Sequence, residues 1–140
     1  MRPNRQIQLD IGVPVSYRDL EVWKRAMDLA EAAYAIARSL PDTERYGLAQ
    51  QMRRSAVSVP SCIAEGRSRL STREFARFLA IAMGSLAELE TQCLLAARLG
   101  LTREAIDPLL RSANELGRML QSLRKSLDRN AYPQETRPNR

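Results

Sequence analysis

The 140-residue chain carries 22 lysines and arginines against 16 aspartates and glutamates, a net charge of +6, with no histidine and two cysteines. This length suits one domain, and the missing histidine removes the commonest general base and metal ligand, so we expect no enzyme, cofactor, small-molecule substrate or metal site. The chain shows no secretory signal and no uninterrupted apolar run near the roughly 18 residues of a membrane span, which predicts a cytoplasmic protein without a membrane partner.

The sequence predicts two tails around one folded region. Residues 1–16 and 128–140 contain prolines and little helical periodicity and are expected to be flexible, which leaves residues 17–127 for the domain. The first predicted helix runs from Tyr17 to Leu40 and stops at Pro41, because proline lacks a backbone donor.

The first helix carries two apolar stripes with helical spacing. One stripe contains Leu20, Trp23, Met27, Ala30, Tyr34 and Ala37, and the other contains Val22, Ala26, Leu29, Ala33, Ile36 and Leu40. A helix on the outside of a single bundle needs only one such stripe, so the second either widens the core or contacts another subunit. We expect a subunit contact.

The second predicted helix begins after the Pro41-Asp42 turn, with Asp42 as its N-cap and Glu44 near the positive end of the helix dipole. It ends at Gly66. Pro60 removes the hydrogen bond to the carbonyl of residue 56 and predicts a kink. The freed carbonyls are expected to bond nearby hydroxyl groups, which explains this serine-rich stretch without a nucleophile: Ser55, Ser58 and Ser61.

The third and fourth predicted helices have the most regular spacing. The capping box of Ser71 and Glu74 opens the third helix and Gly100 closes it, while the fourth starts near Thr102 with Pro108 close to its first turn. Four such helices joined by short connections predict an all-α, antiparallel up-down-up-down four-helix bundle. The two cysteines lie on apolar-patterned segments and are expected to be reduced thiols in the core: Cys62 and Cys93.

Positive charge is concentrated in the middle of the chain. Residues 45–77 hold seven arginines and two glutamates, whereas residues 19–44 hold three basic and six acidic side chains. Several of these arginines fall around the predicted turn between the second and third helices, where they oppose the dipole of the third helix. The predicted phosphate-binding residues are Arg53, Arg54, Arg67, Arg69, Arg73 and Arg77.

The run AVSVPSCIAEGRSR at residues 56–69, followed by matching positions from Ser71 to Gln92, resembles the bacterial four-helix-bundle family of ribosomal RNA intervening-sequence proteins. The resemblance covers residues 17–127. Its motif positions in this chain are Ser58, Ser61, Cys62, Ile63, Ala64, Glu65, Gly66, Gly84, Ser85 and Glu88. The family has Asn where this chain has Cys62, so any polar contact of that Asn is absent or moved here.

The resemblance implies a homopentamer without catalytic activity, and a relative that assists the reverse transcriptase of diversity-generating retroelements. Within the motif, Glu65 is a ligand carboxylate, a catalytic acid or an ion-pair partner of Arg67 or Arg69, and we favour the ion pair. Gly84 and Ser85 are expected to allow close helix approach, including between subunits.

Two functions follow from the sequence. The first is a homo-oligomeric adaptor, with five copies by resemblance, whose basic surface binds RNA, DNA or a nucleic-acid-bound protein by charge and shape. The alternative is a structural scaffold without a nucleic-acid ligand, in which the arginines pair with acidic residues of a neighbouring subunit: Asp19, Glu21, Asp28 and Glu31.

Overall fold

The computed structural model describes residues 16–131, so the predicted tail residues 1–15 and 132–140 lie outside the described residues. Within this range the chain forms four helices and no strand, which confirms the all-α class. The helices are α1 (Glu21–Ser39), α2 (Leu48–Ser68), α3 (Thr72–Arg98) and α4 (Asp107–Ala131). Short 3-10 turns at Tyr17–Asp19 and Asp42–Glu44 precede α1 and α2.

The four helices surround one apolar core. Both α1 and α3 contact α2 and α4, so each helix has two neighbours. Fully buried side chains come from every helix and include Val22, Met52, Leu79 and Leu120. The end of α1 meets the connection between α3 and α4, because the hydroxyl oxygens of Ser39 and Thr102 lie 2.7 Å apart.

The first two helices begin later than the sequence predicted. Leu20 has an extended backbone and separates the first 3-10 turn from α1. Asp42 was predicted to cap the second helix, but it opens the second 3-10 turn, and Gly47 precedes α2. Glu44 does support α2, since its carboxylate oxygen Oε2 accepts a hydrogen bond from the backbone N–H of Leu48 at 3.2 Å.

Helix α2 continues through Pro60 to Ser68, two residues beyond the predicted end at Gly66. The serine hydroxyls were predicted to bond the carbonyls freed by Pro60, but Ser58 does not do so. Its hydroxyl oxygen instead lies 2.8 Å from that of Ser85, which joins α2 to α3. The serine therefore ties two helices together as well as lying near the proline.

Both ends of α3 follow the prediction. The Ser71 hydroxyl accepts a hydrogen bond from the backbone N–H of Glu74 at 3.2 Å, the N-cap half of the predicted box. At the other end Gly100 has φ of 66°, and Leu101 N–H donates to the Ala96 carbonyl while Gly100 N–H donates to Ala97. This pair of bonds is a Schellman motif, which requires the left-handed conformation that glycine adopts readily.

Helix α4 begins at Asp107 rather than near Thr102 and extends to Ala131, into the predicted flexible tail. Thr102 forms a turn instead, because its hydroxyl accepts a hydrogen bond from the Glu104 N–H at 3.1 Å. Pro108 is the second residue of α4, a position where no intrahelical donor is lost.

By length and composition alone, α3 could cross a membrane, a candidate span that the sequence analysis did not anticipate. In the described structure this helix contributes to the core between α2 and α4. Its buried side chains include Phe75, Leu79, Leu86 and Leu89. Its buried face belongs to the core, whereas other apolar side chains of the same helix are exposed.

Candidate nucleic-acid interface

The turn between α2 and α3 holds most of the predicted phosphate-binding arginines. Arg69 and Arg77 lie on either side of the turn, and their guanidinium carbons lie 5.2 and 4.6 Å from the centre of the Phe78 ring. Phe78 itself is buried. One ring thus holds two cationic side chains by cation–π contacts, so that they form a single cluster. Sequence analysis missed this role of Phe78, because a phenylalanine at helical spacing only indicates core packing.

Ion pairs partly neutralise this cluster. Arg69 Nη2 lies 2.9 Å from Glu65 Oε1, which confirms the predicted ion pair of Glu65. Arg77 Nε donates to Glu74 Oε2 at 2.9 Å, and this hydrogen bond, together with the positive charges of Arg77, Arg69 and Arg73, lowers the pKa of Glu74. The four paired side chains are 39–57% exposed, so solvent screens both ion pairs and each contributes little to stability.

Arg73 has no ion-pair partner among residues 16–129, whose side chains the structure describes, and it is exposed in the first turn of α3. The turn itself is closed by Leu70, which is 72% exposed and has φ of 55°, a strained value for a residue with a side chain. Three exposed arginines, Arg69, Arg73 and Arg77, therefore surround a short protruding turn.

Arg67 does not join this exposed group. Its side chain is 7% exposed, its Nε has no hydrogen-bond partner among the described residues, and burial lowers its pKa. A side chain this little exposed offers only a small part of its guanidinium to a phosphate at the surface of one copy. The position of Arg67 thus does not favour the predicted phosphate contact.

The structure also separates Arg53 and Arg54 from the turn. Arg54 and Arg67 are 13 positions apart on α2, about 20 Å along the helix axis at 1.5 Å per residue. Arg53 Nη2 donates to the carbonyl oxygen of Arg45 at 3.0 Å, and Arg54 is exposed. Five of the six predicted arginines therefore form two separate groups, Arg53 with Arg54 and Arg69 with Arg73 and Arg77, while Arg67 is buried.

The motif residues mainly pack α2 against α3. Ile63 is fully buried, and a Cβ atom on Gly66 would lie 2.5 Å from the Cβ of Phe78, so only glycine fits between the helices. Ser58 and Ser85 form the hydrogen bond described above. Cys62 Sγ lies 3.6 Å from Ser58 Oγ, so this position keeps a polar contact although it lacks the family Asn.

The remaining motif residues face outward or towards α1. Ser61 and Ala64 line a groove between α1 and α2, whereas Gly84 and Glu88 are exposed on α3. A Cβ atom on Gly84 would meet no atom within 4 Å, so this glycine leaves room for another helix at the surface. The close helix approach predicted at Gly84 is therefore possible only with a second molecule. Ser85, in contrast, forms a contact within one copy.

The two cysteines occupy different surroundings. Cys93 is buried. Desolvation, and to a smaller extent the negative charge of Glu90, raises the pKa of its thiol to about 11. Cys62 is half-buried rather than a full core residue. Residues 16–129 contain no cluster of three or more cysteine, aspartate or glutamate side chains placed to hold a metal ion.

The two stripes of α1 have separate environments. The stripe that begins with Val22 is buried in the core. Much of the other stripe, together with residues of α2, lines an open groove of about 720 Å³. The groove residues are Tyr17, Trp23, Met27, Ala30, Glu31, Tyr34, Arg38, Val57, Pro60, Ser61 and Ala64. In a single copy, the extra apolar surface that the sequence predicted on α1 therefore stays partly exposed.

Three large apolar side chains are exposed on α3. Ile81, Leu94 and Leu95 are 42%, 46% and 45% exposed, and the exposed Gly84 lies between the first and second of them along the helix. We call this set the outer face of α3. It lies on the solvent side of the helix, opposite buried residues such as Leu89 and Cys93.

These features define an all-α four-helix protein with a basic turn, an apolar groove between α1 and α2, and a few exposed apolar side chains on α3. A family model described as 23S rRNA-intervening sequence protein matches residues 18–122. The chain belongs to this family, which confirms the resemblance recognised in its sequence. No curated protein matches the chain.

Proposed function

We propose that this protein is a non-enzymatic, homo-oligomeric adaptor whose basic turn binds nucleic acid or a nucleic-acid-bound protein. The observation that carries the proposal is the cluster of Arg69, Arg73 and Arg77 on the α2–α3 turn, two of which share the Phe78 ring. Arginine suits phosphate contacts because its planar guanidinium can donate two hydrogen bonds to one phosphate.

Binding is expected to depend on charge and shape. Aromatic residues make up 5% of the chain, and Phe78 at the basic turn is buried beneath the arginines. Nucleic-acid bases therefore find no exposed aromatic side chain on this turn to stack against. The turn is suited to phosphate contacts, which position a protein without reading sequence.

The proposal includes antiparallel helices and a homopentamer. The contact of Ser39 with Thr102 supports the helix order, since it brings the end of α1 to the connection after α3. The pentamer derives from the family resemblance. Five copies would present five basic turns, so that weak contacts at each turn add up through effective concentration.

The main test replaces Arg69, Arg73 and Arg77 together with alanine. Each phosphate contact contributes about 0.9 to the slope of log affinity against log salt on duplex DNA, so the loss of three contacts should reduce that slope by about 2 to 3. The measurement is titration of structured RNA and duplex DNA at several salt concentrations.

The control removes the same charge elsewhere, by replacing the exposed Arg98, Arg103 and Arg111 with alanine. We expect this variant to keep most of the salt dependence. An affinity that ignores salt, or that falls equally in both triple variants, would show that the turn is not the binding surface.

Association of copies is a separate prediction. The substitution Leu94→Asp places a charge on the outer face of α3 and should convert the oligomer to single copies, because burying an unpaired carboxylate is costly. Light scattering gives the mass. The variant Leu70→Asp, at the exposed basic turn, is the control and should keep the oligomer. A wild-type chain that is monomeric at micromolar concentration contradicts the proposed assembly.

The scaffold function has one observation in its favour. Glu65 and Glu74 already neutralise two of the three arginines at the turn. Of the acids predicted to pair between subunits, Glu21 instead contacts Arg25 of its own chain at 3.4 Å. If neither RNA nor DNA binds while the oligomer persists, the scaffold is the better description.

A further inference from the structure

The groove between α1 and α2 is apolar and half-open. Met27 is 39% exposed and Val57 is 45% exposed, while Trp23 and Tyr34 are half-buried. Glu31 and Arg38 lie among the groove residues, and the rest are largely apolar. An apolar surface of this kind is stabilised when another apolar segment covers it.

The sequence contains such a segment directly before the first described residue. Between positions 7 and 15, the odd-numbered residues are all apolar: Ile7, Leu9, Ile11, Val13 and Val15. The residues between them are Gln8, Asp10, Gly12 and Pro14. In an extended chain this alternation places the five apolar side chains on one face. Gly12 and Pro14 also disfavour a helix.

The described chain begins at the groove. Tyr17, the second described residue, lines the groove, and its ring centre lies 5.5 Å from that of Trp23. Residues 7–15 precede it directly. Nine extended residues span about 30 Å at 3.3 Å each. The groove runs about 22 Å along α1 from Trp23 to Arg38 at 1.5 Å per residue, so the segment is long enough to cover it.

We propose that residues 7–15 occupy the α1–α2 groove of their own chain, with the odd-numbered apolar side chains against Trp23, Met27 and Val57. A segment tethered at one end of a groove has a high effective concentration there, which favours it over a segment from another molecule. The inference goes beyond the adaptor function. It assigns the second stripe of α1 to the chain's own segment in place of the subunit contact expected from the sequence, so that association of copies would use other surfaces, such as the outer face of α3.

Arg67 provides a second, independent observation. It follows Pro60 and Ala64 at helical spacing on α2, and both of those residues line the groove. Its buried Nε has no acceptor among the described residues. An extended segment arriving next to Ser16 brings backbone carbonyl groups that need donors, so the segment can satisfy this N–H as well as cover the groove.

Trp23 makes the proposal measurable, because it is the single tryptophan of the chain. The test compares the full-length protein with a Leu9→Ser, Ile11→Ser variant by tryptophan emission and acrylamide quenching. We expect the variant to emit at longer wavelength and to be quenched about twofold more strongly. The control is Gln8→Ser, Asp10→Ser, which changes the opposite face of the segment and should match the wild type.

Circular dichroism of each variant checks that the four helices remain folded. Equal emission and quenching in the two double variants would overturn the proposal. Protection of Trp23 that disappears on dilution of the wild type would also overturn it, because a second copy would then be the occupant. Nucleic-acid titration of the same variants is expected to be unchanged, so this inference and the adaptor function can fail separately.

A disulfide distinguishes the chain's own segment from that of a neighbour. Val13→Cys and Met27→Cys, which an extended segment starting beside Trp23 would bring to the same level of the groove, are introduced together with Cys62→Ala, which removes the half-buried native thiol. Oxidation should yield a cross-link within one chain, seen as a monomer on a denaturing gel with both new thiols consumed. A cross-linked dimer would show that the neighbour's segment occupies the groove. Unreacted thiols would show that the segment does not lie in the groove, and would overturn the proposal.

Discussion

Gly66→Ala is expected to lower the free energy of unfolding by about 3 kcal/mol, at the upper end of the usual cost of overpacking. The added Cβ would lie 2.5 Å from Phe78 Cβ and 3.3 Å from Phe75 Cδ1. Because a Cβ atom is fixed to the backbone, Phe78 cannot avoid the clash by a change of rotamer. The helices α2 and α3 must separate instead, which disturbs the core beneath the basic turn.

The matched control is Gly117→Ala within α4. Its Cβ would lie 3.5 Å from Leu86 Cδ2, an ordinary van der Waals distance. Replacing a glycine inside a helix then stabilises the protein by about 0.5–1 kcal/mol, since alanine loses less conformational entropy on folding. Urea denaturation at one fixed protein concentration measures both variants. A Gly66→Ala protein as stable as the wild type would show that the helices are less closely packed than described.

Leu89→Ala should be similarly damaging, with a loss of about 2–5 kcal/mol. Leu89 is fully buried in α3, which packs between α2 and α4. Removing its side chain loses apolar burial and leaves a cavity that rigid neighbouring helices fill only partly. The loss should appear as a lower urea midpoint with an unchanged slope, because the surface exposed on unfolding hardly changes.

The same substitution at Leu99 provides the control. Leu99 follows the last residue of α3 and is 60% exposed, so Leu99→Ala should change stability by less than about 0.5 kcal/mol. Similar losses at both positions would mean that burial does not decide the cost. A thermal melt of the two variants at equal concentration gives an independent measure.

These packing results bear on the family motif. Gly66 and Ile63 are explained by the α2–α3 contact, and Ser58 with Ser85 by a hydrogen bond across it. Glu65 lies on the outer side of the same turn of helix and pairs with Arg69. These five motif residues are therefore explained by the contact between α2 and α3 and by the ion pair at the basic turn.

The local signals were sufficient for much of the fold. The spacing of apolar residues predicted four helices, and Ser71 and Gly100 marked the two ends of α3 because their caps depend on residues close in sequence. The starts of α2 and α4 were predicted too early. At Asp42 and Thr102 the polar side chains resemble helix caps in sequence, but each takes part in a short turn instead.

The candidate site was only partly predictable, since sequence position does not specify burial. Arg67 and Arg69 are two residues apart, yet one is buried and the other lies on the exposed side of Phe78. Arg53 and Arg54 lie on α2, the helix that leads into the turn, but about 20 Å from its end. The sequence showed how many arginines lie in this region. Which of them lie close together depends on their distance along α2 and on which side of the helix is packed against its neighbours.

The sequence by itself determined the helices, the basic turn and the surplus of apolar surface on α1, because these follow from local spacing and composition. Only the tertiary structure decided which stripe is buried. The Val22 stripe enters the core and the Trp23 stripe lines a groove, although both have helical spacing. Side chains of similar hydrophobicity differ in burial according to which neighbouring helices cover them, and that depends on how the whole chain packs.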